Sequence, residues 1–275
     1  MAKIVKFIEQ YLAEYKDIFV DYSSSKREFL ILYKDFVQRG KGVRGASVFL
    51  TDKIFKHEKL SKTNLYYLAA FFELMHSNLL IHDDFMYEYR LTRNAKTINF
   101  YFESKFKKEL KKLQHLGNSL AVNLGDTGFF LVFDFFNRIK TSHTWKKKLF
   151  YNFTSEYTKL SLAQADDVFF GQTNIEPNHE TIKRVYLHKT ARYTFVLPVI
   201  STLYLRNNYF YKDQLLIRIL ENLGVLFQIT DDLIGFLSDQ TGKDKGLDIR
   251  VSNKTIVRYF LIRELKNLEF KELTK

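Results

Sequence analysis

The chain has 275 residues, a formal net charge of +12 and no cysteine. A chain of this length can bury a substantial core, and without cysteine it has no disulfide framework, thiolate metal site or cysteine nucleophile. The positive charge suits polyanions of any kind. The lysines, however, stand in short clusters typical of solvated helix faces, so we expect no nucleic-acid partner.

No linker-like segment divides the sequence, which has only 2 prolines, 11 glycines and no stretch rich in Ser, Pro or Gly. We therefore expect a single domain over residues 1–275. The N-terminal sequence MAKIVKFIEQ mixes charged and apolar residues, unlike a secretory signal. The longest uncharged stretch, 193–205, is shorter than the roughly 20 residues of a membrane-spanning helix. These features predict a cytoplasmic protein with at most peripheral membrane contact.

Helical periodicity begins near the N-terminus, where Ile4, Ile8, Tyr11 and Tyr15 share one face. Strand-like alternation is scarce. Several later segments are apolar on most sides, as expected of helices in the middle of a bundle. The long helix-compatible segments run approximately over residues 64–84, 119–136, 146–170, 181–205 and 215–236. The sequence therefore predicts an all-α fold, a bundle of long helices.

Two pairs of aspartates end apolar segments: Asp83-Asp84 closes ELMHSNLLIHDD, and Asp231-Asp232 closes ENLGVLFQITDD. Ionised carboxylates beside a core are costly unless a cation compensates them. Magnesium prefers oxygen ligands and is commonly held by one or two carboxylates together with substrate phosphates. One such pair alone is more often a helix cap or half of an ion pair. Two pairs in the same context favour a metal site.

Basic residues near these segments are suited to binding two diphosphates, because positive groups hold the anionic ends while a metal neutralises the leaving group. Taken singly, each of them is more often a surface cation. The sequence contains no Walker loop, GxGxxG fingerprint or HExxH motif. The basic candidates are Lys41, Arg44, Arg93, Lys189 and Lys243.

The order and spacing of these motifs resemble the polyprenyl synthetase family, the all-α trans-isoprenyl diphosphate synthases, from about Gly40 to Thr255. GKGVRG resembles the family's GGKxxR element, and FQITDD resembles its FQxxDD motif. Asp83-Asp84 matches the start of the first aspartate-rich motif. Shorter matches are Gly125-Asp126 to a GD pair, Gln164 and Asp167 to a GQxxD helix, Lys189-Thr190 to a KT pair, and Gly242, Lys243, Gly246 and Asp248 to a GKxxGxD element.

The resemblance implies an isoprenoid synthase-like bundle around a central apolar cavity, and it implies roles for single residues. Isopentenyl diphosphate is expected to bind Lys41, Arg44, His76 and Arg93. Other substrate contacts are expected from Lys189, Thr190, Gln228 and Lys243, with Lys189-Thr190 beside the allylic diphosphate. Magnesium is expected at Asp83, Asp84 and Asp231, and the expected catalytic residues are these three and Lys189.

The implied reaction joins isopentenyl diphosphate to an allylic diphosphate and yields a short-chain trans-polyprenyl diphosphate, geranylgeranyl or farnesyl. The product is expected to grow into the apolar cavity beneath Asp83. Asn78 and Leu79 lie one turn upstream of Asp83, and neither is an aromatic plug. This favours a product longer than farnesyl diphosphate.

The aspartate motifs are incomplete, because the family has a third Asp four residues after the first, one helical turn away. Tyr87 and Gly235 stand at those positions. Glu88, four residues after Asp84, is expected to offer a carboxylate from a helix face rotated by roughly 100°. The family's paired arginines become Thr92-Arg93, with Arg90 as a candidate substitute. We therefore expect weakened activity.

Two other functions stay open from the sequence. The missing third aspartates favour a non-catalytic subunit of a heteromeric prenyl synthase. A terpene cyclase also uses an aspartate-rich motif, but it has no second diphosphate for Lys41, Arg44, His76 and Arg93 to bind. For either synthase reading we expect a homodimer or a heteromer with a related subunit.

Overall fold

The computed structural model describes residues 2–15, 24–55, 60–106, 113–237 and 254–264. The described chain is almost entirely helical, which confirms the predicted all-α class. Its helices are α1 Ala2–Glu14, α2 Ser24–Gln38, α3 Val43–Ile54, α4 Lys62–Met86, α5 Ile98–Lys105, α6 Leu113–Arg138, α7 His143–Gln172, α8 His179–Tyr186, a π-helix Leu187–Val196, α9 Leu197–Leu205, a 3₁₀ turn Tyr209–Lys212, α10 Gln214–Leu237 and α11 Ile256–Glu264.

The chain forms two compact units, residues 1–142 with 202–208 and residues 143–201 with 209–275. They are referred to below as the first and the second unit. Nothing in this division tests the expected single domain over residues 1–275, which stays a prediction. The central apolar cavity also stays a prediction.

Helix α4 lies in the middle of the first unit and is buried on nearly every side, because its sequence is apolar around the whole circumference. Leu68, Phe71, Phe72 and Leu74 are fully buried in this core. The helix begins at the N-cap Ser61, whose side chain accepts a hydrogen bond from the Asn64 backbone N–H. Helix α4 packs against α1, α2, α3, α5 and α6.

A short hairpin follows α4, with β1 Leu91–Thr92 antiparallel to β2 Ala95–Lys96. Its two turn residues, Arg93 and Asn94, have positive φ angles of 49° and 60°. This is the backbone of a type I′ turn, which matches the twist of the flanking strands. The turn fixes the backbone position of Arg93.

One helix of the first unit, Gln114–Arg138 within α6, is long and apolar enough to cross a membrane by length and composition. Core helices of soluble proteins meet the same criteria, and 44% of its most apolar window is buried. This single helix is weak evidence for a membrane span.

The predicted helical segment 181–205 is confirmed as helix, but its middle is a ten-residue π-helix. Pro198 has no N–H to donate to the preceding turns, and a proline ring crowds the carbonyl four residues earlier. A wider π turn just before Pro198 relieves that crowding. π-Helical turns occur frequently at functional sites, and this one carries Lys189 and Thr190.

Candidate active site

The first turn of α3 presents Arg44, which is only 7% exposed. The N-cap of this helix is Gly42, in the left-handed conformation with φ 72°, and it has no side chain to cap the helix. The carboxylate of Glu73 on α4 accepts the Gly45 backbone N–H at 2.7 Å. Lys41, just before the helix, is exposed.

A cluster of basic groups forms where α3, α4 and the hairpin turn contribute Arg44, His76 and Arg93. The pKa of His76 lies well below its usual value, mainly because burial disfavours its charged form and also because Arg44 and Arg93 are positive neighbours. Arg93 donates to the Phe36 carbonyl oxygen at 2.8 Å and stacks over the Phe36 ring. The structure therefore brings three of the four predicted isopentenyl diphosphate residues together.

Asp83 and Asp84 lie in the last turn of α4, where the helix dipole is negative and further negative charge is unfavourable. Asp84 is 2% exposed. A cation near these two carboxylates would offset both the helix dipole and the burial of Asp84. This end of α4 therefore has the electrostatic character of a cation site.

The helix end corrects one expectation from the sequence. Helix α4 stops at Met86, and Tyr87 is its C-cap. Glu88 has a left-handed φ of 54°, the Glu88 N–H donates to the Phe85 carbonyl at 3.2 Å, and the Tyr89 N–H donates to the Asp84 carbonyl at 2.8 Å. This pattern is a Schellman motif.

The expectation that Glu88 offers a carboxylate from a rotated helix face was therefore wrong, because the chain has left the helix at that residue. Its carboxylate instead accepts a hydrogen bond from Gln114 at 3.2 Å. The ring of Tyr87 is buried and stacks on that of Tyr89 with centroids 5.6 Å apart. The position of the missing third aspartate is thus filled by a packed aromatic side chain.

In the second unit, Asp231 is exposed and Asp232 is held by its neighbours on α10 and α8. Gln228 donates to Asp232 at 2.8 Å, and the Tyr186 hydroxyl also donates to it. Burial, together with the negative charge of Asp232, raises the pKa of Tyr186. The same hydroxyl accepts the Ile256 backbone N–H at 2.9 Å and so connects α11 to this group.

The π-helix places Lys189 and Thr190 beside partners on two helices of the second unit. Lys189 forms an ion pair with Asp167 on α7 at 2.6 Å, and Thr190 donates to the Gln228 side-chain oxygen at 2.5 Å. Lys189, Thr190, Gln228 and Asp232 are therefore part of one polar region of this unit. Lys243, with the rest of its GKxxGxD element, lies outside the described residues.

Asn78, predicted to help set product length, is fully buried among three helices of the first unit. Its side-chain oxygen accepts a hydrogen bond from Tyr33 at 2.8 Å. A Cβ atom at Gly128 would lie 2.1 Å from the same oxygen, so α6 approaches α4 closely here. Product length itself stays a prediction.

Other predicted positions have identifiable neighbours. Asp126 of the GD pair lies 3.4 Å from His82, the residue before Asp83. The Arg90 guanidinium lies over the Phe100 ring, with 5.3 Å to the ring centroid. Its role as a substitute arginine stays a prediction.

Sequence reasoning missed two polar residues of these regions, Glu73 and Tyr186. A signal existed for Glu73, since it is the one acidic residue of the apolar run AAFFELMH. Tyr186 carried no such signal, because a tyrosine on a helix facing the core is an ordinary pattern.

The side chains of the two aspartate pairs are suitable ligands for magnesium. Both aspartate pairs offer only carboxylate oxygens, the ligands that this hard cation prefers. No group of three or more His, Cys, Asp or Glu side chains is arranged to hold a metal ion within the described part of the chain. Such sparse ligands fit an ion that is completed by water and substrate phosphates, rather than one enclosed by protein.

A family model for polyprenyl synthetases matches residues 27–275. The chain belongs to the polyprenyl synthetase family. Its sequence is 26% identical to the geranylgeranyl diphosphate synthase of Sulfolobus acidocaldarius over 230 residues, which are 82% of this chain and 64% of that protein. It is also 26% identical to the geranylgeranyl diphosphate synthase of Saccharolobus solfataricus over 199 residues, 70% of this chain and 54% of that protein. The chain thus spans less than two thirds of the length of these relatives.

A solved structure with the same fold is the geranylgeranyl pyrophosphate synthase of Corynebacterium glutamicum, complexed with isoprenyl diphosphate and magnesium. Its TM-score is 0.83 at 22% identity, over 93% of this chain and 74% of that one. This likeness supports the isoprenyl synthase fold that the polyprenyl synthetase family membership implies.

Proposed function

We propose that this protein is a magnesium-dependent prenyltransferase that condenses isopentenyl diphosphate with an allylic diphosphate to geranylgeranyl or farnesyl diphosphate. The observation that carries the proposal is the layout of α4. His76 of the basic cluster and Asp83 lie on this one helix, two turns or about 10 Å apart at a rise of 1.5 Å per residue. A diphosphate site and a cation site side by side are what the reaction needs.

The basic residues bind and orient the two substrates. Arg44 and Arg93, with Lys41, hold the diphosphate of isopentenyl diphosphate through charge-assisted hydrogen bonds. Lys189, Thr190 and Gln228 contact the allylic diphosphate. Asp83, Asp84 and Asp231 would hold magnesium, which when bound neutralises the negative charge that develops on the departing diphosphate.

The reaction breaks the carbon–oxygen bond between the allylic carbon and its diphosphate. The double bond of isopentenyl diphosphate then attacks that carbon, a carbon–carbon bond forms, and a proton is lost to the departing diphosphate. No side chain acts as a nucleophile. The protein contributes position, electrostatic stabilisation and the exclusion of water from the allylic cation.

A second candidate is a non-catalytic subunit of a heteromeric prenyl synthase. It is favoured by the helix end at Met86 and the packed ring of Tyr87, which leave the first motif with two carboxylates. The exposed Phe130 and Phe133 on α6, 75% and 47% accessible, support assembly with a second copy or a related subunit. The basic cluster of Arg44, His76 and Arg93 argues against a terpene cyclase, which binds one diphosphate.

The test uses the purified protein alone with magnesium, isopentenyl diphosphate and dimethylallyl, geranyl or farnesyl diphosphate. A synthase forms a longer linear prenyl diphosphate from both substrates. A non-catalytic subunit binds substrates without forming product. A cyclase converts an allylic diphosphate to a cyclic hydrocarbon without isopentenyl diphosphate.

A further inference from the structure

Glu73 is a carboxylate at the centre of an apolar helix. It is 2% exposed on α4, and its sequence neighbours Phe72 and Leu74 are fully buried. A carboxylate in such a place is costly unless polar partners compensate it. One partner is the Gly45 backbone N–H on α3, 2.7 Å from the Glu73 Oε1 atom.

The N–H that Glu73 accepts belongs to the first turn of α3, which begins at Val43 after the N-cap Gly42. The N–H groups of the first turn have no partner within a helix, and an N-cap side chain normally accepts the second or third of them. Gly42 has no side chain, and Gly45 is the third residue of the helix. Glu73 therefore supplies from α4 the cap that α3 lacks.

The capped turn is held tightly against its surroundings. A Cβ atom at Gly45 would lie 2.6 Å from the Ile4 side chain and 3.3 Å from the Glu73 Cγ atom. Arg44 is the residue before Gly45, so its backbone belongs to the same fixed turn. His76, another member of the basic cluster, is three residues after Glu73 and shares its face of α4.

We propose that Glu73 is a positioning residue for the diphosphate site: by capping α3 from α4, it sets the position of Arg44 relative to His76 and Arg93. This inference rests on the proposed function for the identity of the ligand. Glu73 itself touches no substrate. Its effect passes through the backbone of the first turn of α3.

The test compares Glu73→Ala, Glu73→Gln and a matched control, Asn64→Ala. Asn64 is also a buried polar residue of α4, and it also anchors a backbone N–H of another segment, that of Lys140 at 2.9 Å. It lies in the first turn of α4, twelve residues before His76. Binding of isopentenyl S-thiolodiphosphate and of geranyl S-thiolodiphosphate is measured by calorimetry with magnesium, below the unfolding temperature of every variant.

We expect Glu73→Ala to raise the dissociation constant for the isopentenyl analogue by about tenfold, because a displaced Arg44 loses about one charge-assisted hydrogen bond to the diphosphate. Glu73→Gln retains an acceptor oxygen and should recover most of the lost affinity. The affinity for the geranyl analogue should be unchanged in both Glu73 variants. Unchanged isopentenyl affinity in Glu73→Ala would overturn the inference. An equal loss in Asn64→Ala, or no recovery in Glu73→Gln, would overturn it as well.

A wild-type protein that binds neither analogue would contradict the proposed function. The capping role of Glu73 is measured separately, without any ligand. Hydrogen exchange at the Gly45 amide should become faster in Glu73→Ala and stay slow in Asn64→Ala. Slow exchange in Glu73→Ala would overturn the capping role whatever the ligand.

Discussion

Gly224 on α10 and Ala191 on the π-helix are so close that a Cβ atom at Gly224 would lie 2.3 Å from the Ala191 Cα atom. The contact is between backbone segments, so neither side is able to give way by a simple rotamer change. We expect Gly224→Ala to lower the free energy of unfolding by about 2 kcal/mol, in the range of overpacked core sites. Urea denaturation of the two proteins measures this difference.

Gly171→Ala on α7 is the matched control, because among the described residues no atom outside the local backbone of α7 lies within 4 Å of a Cβ atom built there. It should raise stability by about 0.5 kcal/mol, the ordinary gain of replacing a helical glycine. If Gly224→Ala behaves like Gly171→Ala, then α10 and the π-helix do not approach each other as described.

Glu88 occupies the left-handed position of the Schellman motif that ends α4. Glycine has no Cβ to strain there, so Glu88→Gly should raise the free energy of unfolding by about 1 kcal/mol. Glu88→Ala keeps the strain and loses the hydrogen bond from Gln114, and it should give no gain. Equal effects of the two substitutions on the denaturation midpoint would show that Glu88 is not in a left-handed conformation.

Restoring the missing aspartates should have unequal results at the two motifs. Tyr87 is 5% exposed and stacked on Tyr89, so Tyr87→Asp should cost about 3 kcal/mol of stability or more. Gly235 lies within α10, one turn after Asp231, and Gly235→Asp should keep stability within about 0.5 kcal/mol.

If Asp231 is a magnesium ligand, Gly235→Asp alone should also shift product formation to lower magnesium concentrations, because its carboxylate lies beside that of Asp231. Product yield is measured against magnesium concentration for wild type and for each variant. Repair by Tyr87→Asp with no loss of stability would contradict the packed position of Tyr87.

His76 makes stability depend on pH, because its pKa is lowered in the folded protein. The unfolded chain binds a proton at this residue near pH 6.5 and the folded chain does not, so stability is retained above that pH. It is lost as pH falls below 6.5, by up to about 1.4 kcal/mol per pH unit. We expect His76→Gln to flatten the plot of unfolding free energy against pH between 5 and 6.5.

A slope unchanged from wild type in His76→Gln would show that burial and the basic neighbours Arg44 and Arg93 do not lower the pKa of His76 as described.

The long helices were predictable because apolar periodicity is a local property of the sequence. The position of each aspartate pair at the end of an apolar segment was visible for the same reason. The end of α4 was not, since the left-handed position that closes it holds Glu88 rather than the glycine that normally marks such an end. The sequence DDFMYEYR contains no glycine or proline that would mark this helix end.

The π-helix and the Glu73 cap were also not predictable from local sequence patterns. Pro198 and Gly224 are both signals in the sequence, but only the packing of α10 against the π-helix shows what Gly224 permits. The cap on α3 joins residues that are 28 positions apart. The choice of Asp231 as a metal ligand stays a prediction, supported by the hydrogen bonds that occupy Asp232.

We propose that the aspartate pairs support magnesium-dependent condensation in this chain itself. The most direct measurement is the incorporation of labelled isopentenyl diphosphate into prenyl diphosphate, as a function of magnesium, by wild type, Asp83→Ala and the exposed-site control Glu180→Gln. We expect magnesium-dependent product from wild type and the control, and a loss of several orders of magnitude in product formation by Asp83→Ala at unchanged stability. Near-normal turnover by Asp83→Ala, or no product from a folded wild type that binds both substrates, would contradict the proposed role of the aspartate pairs.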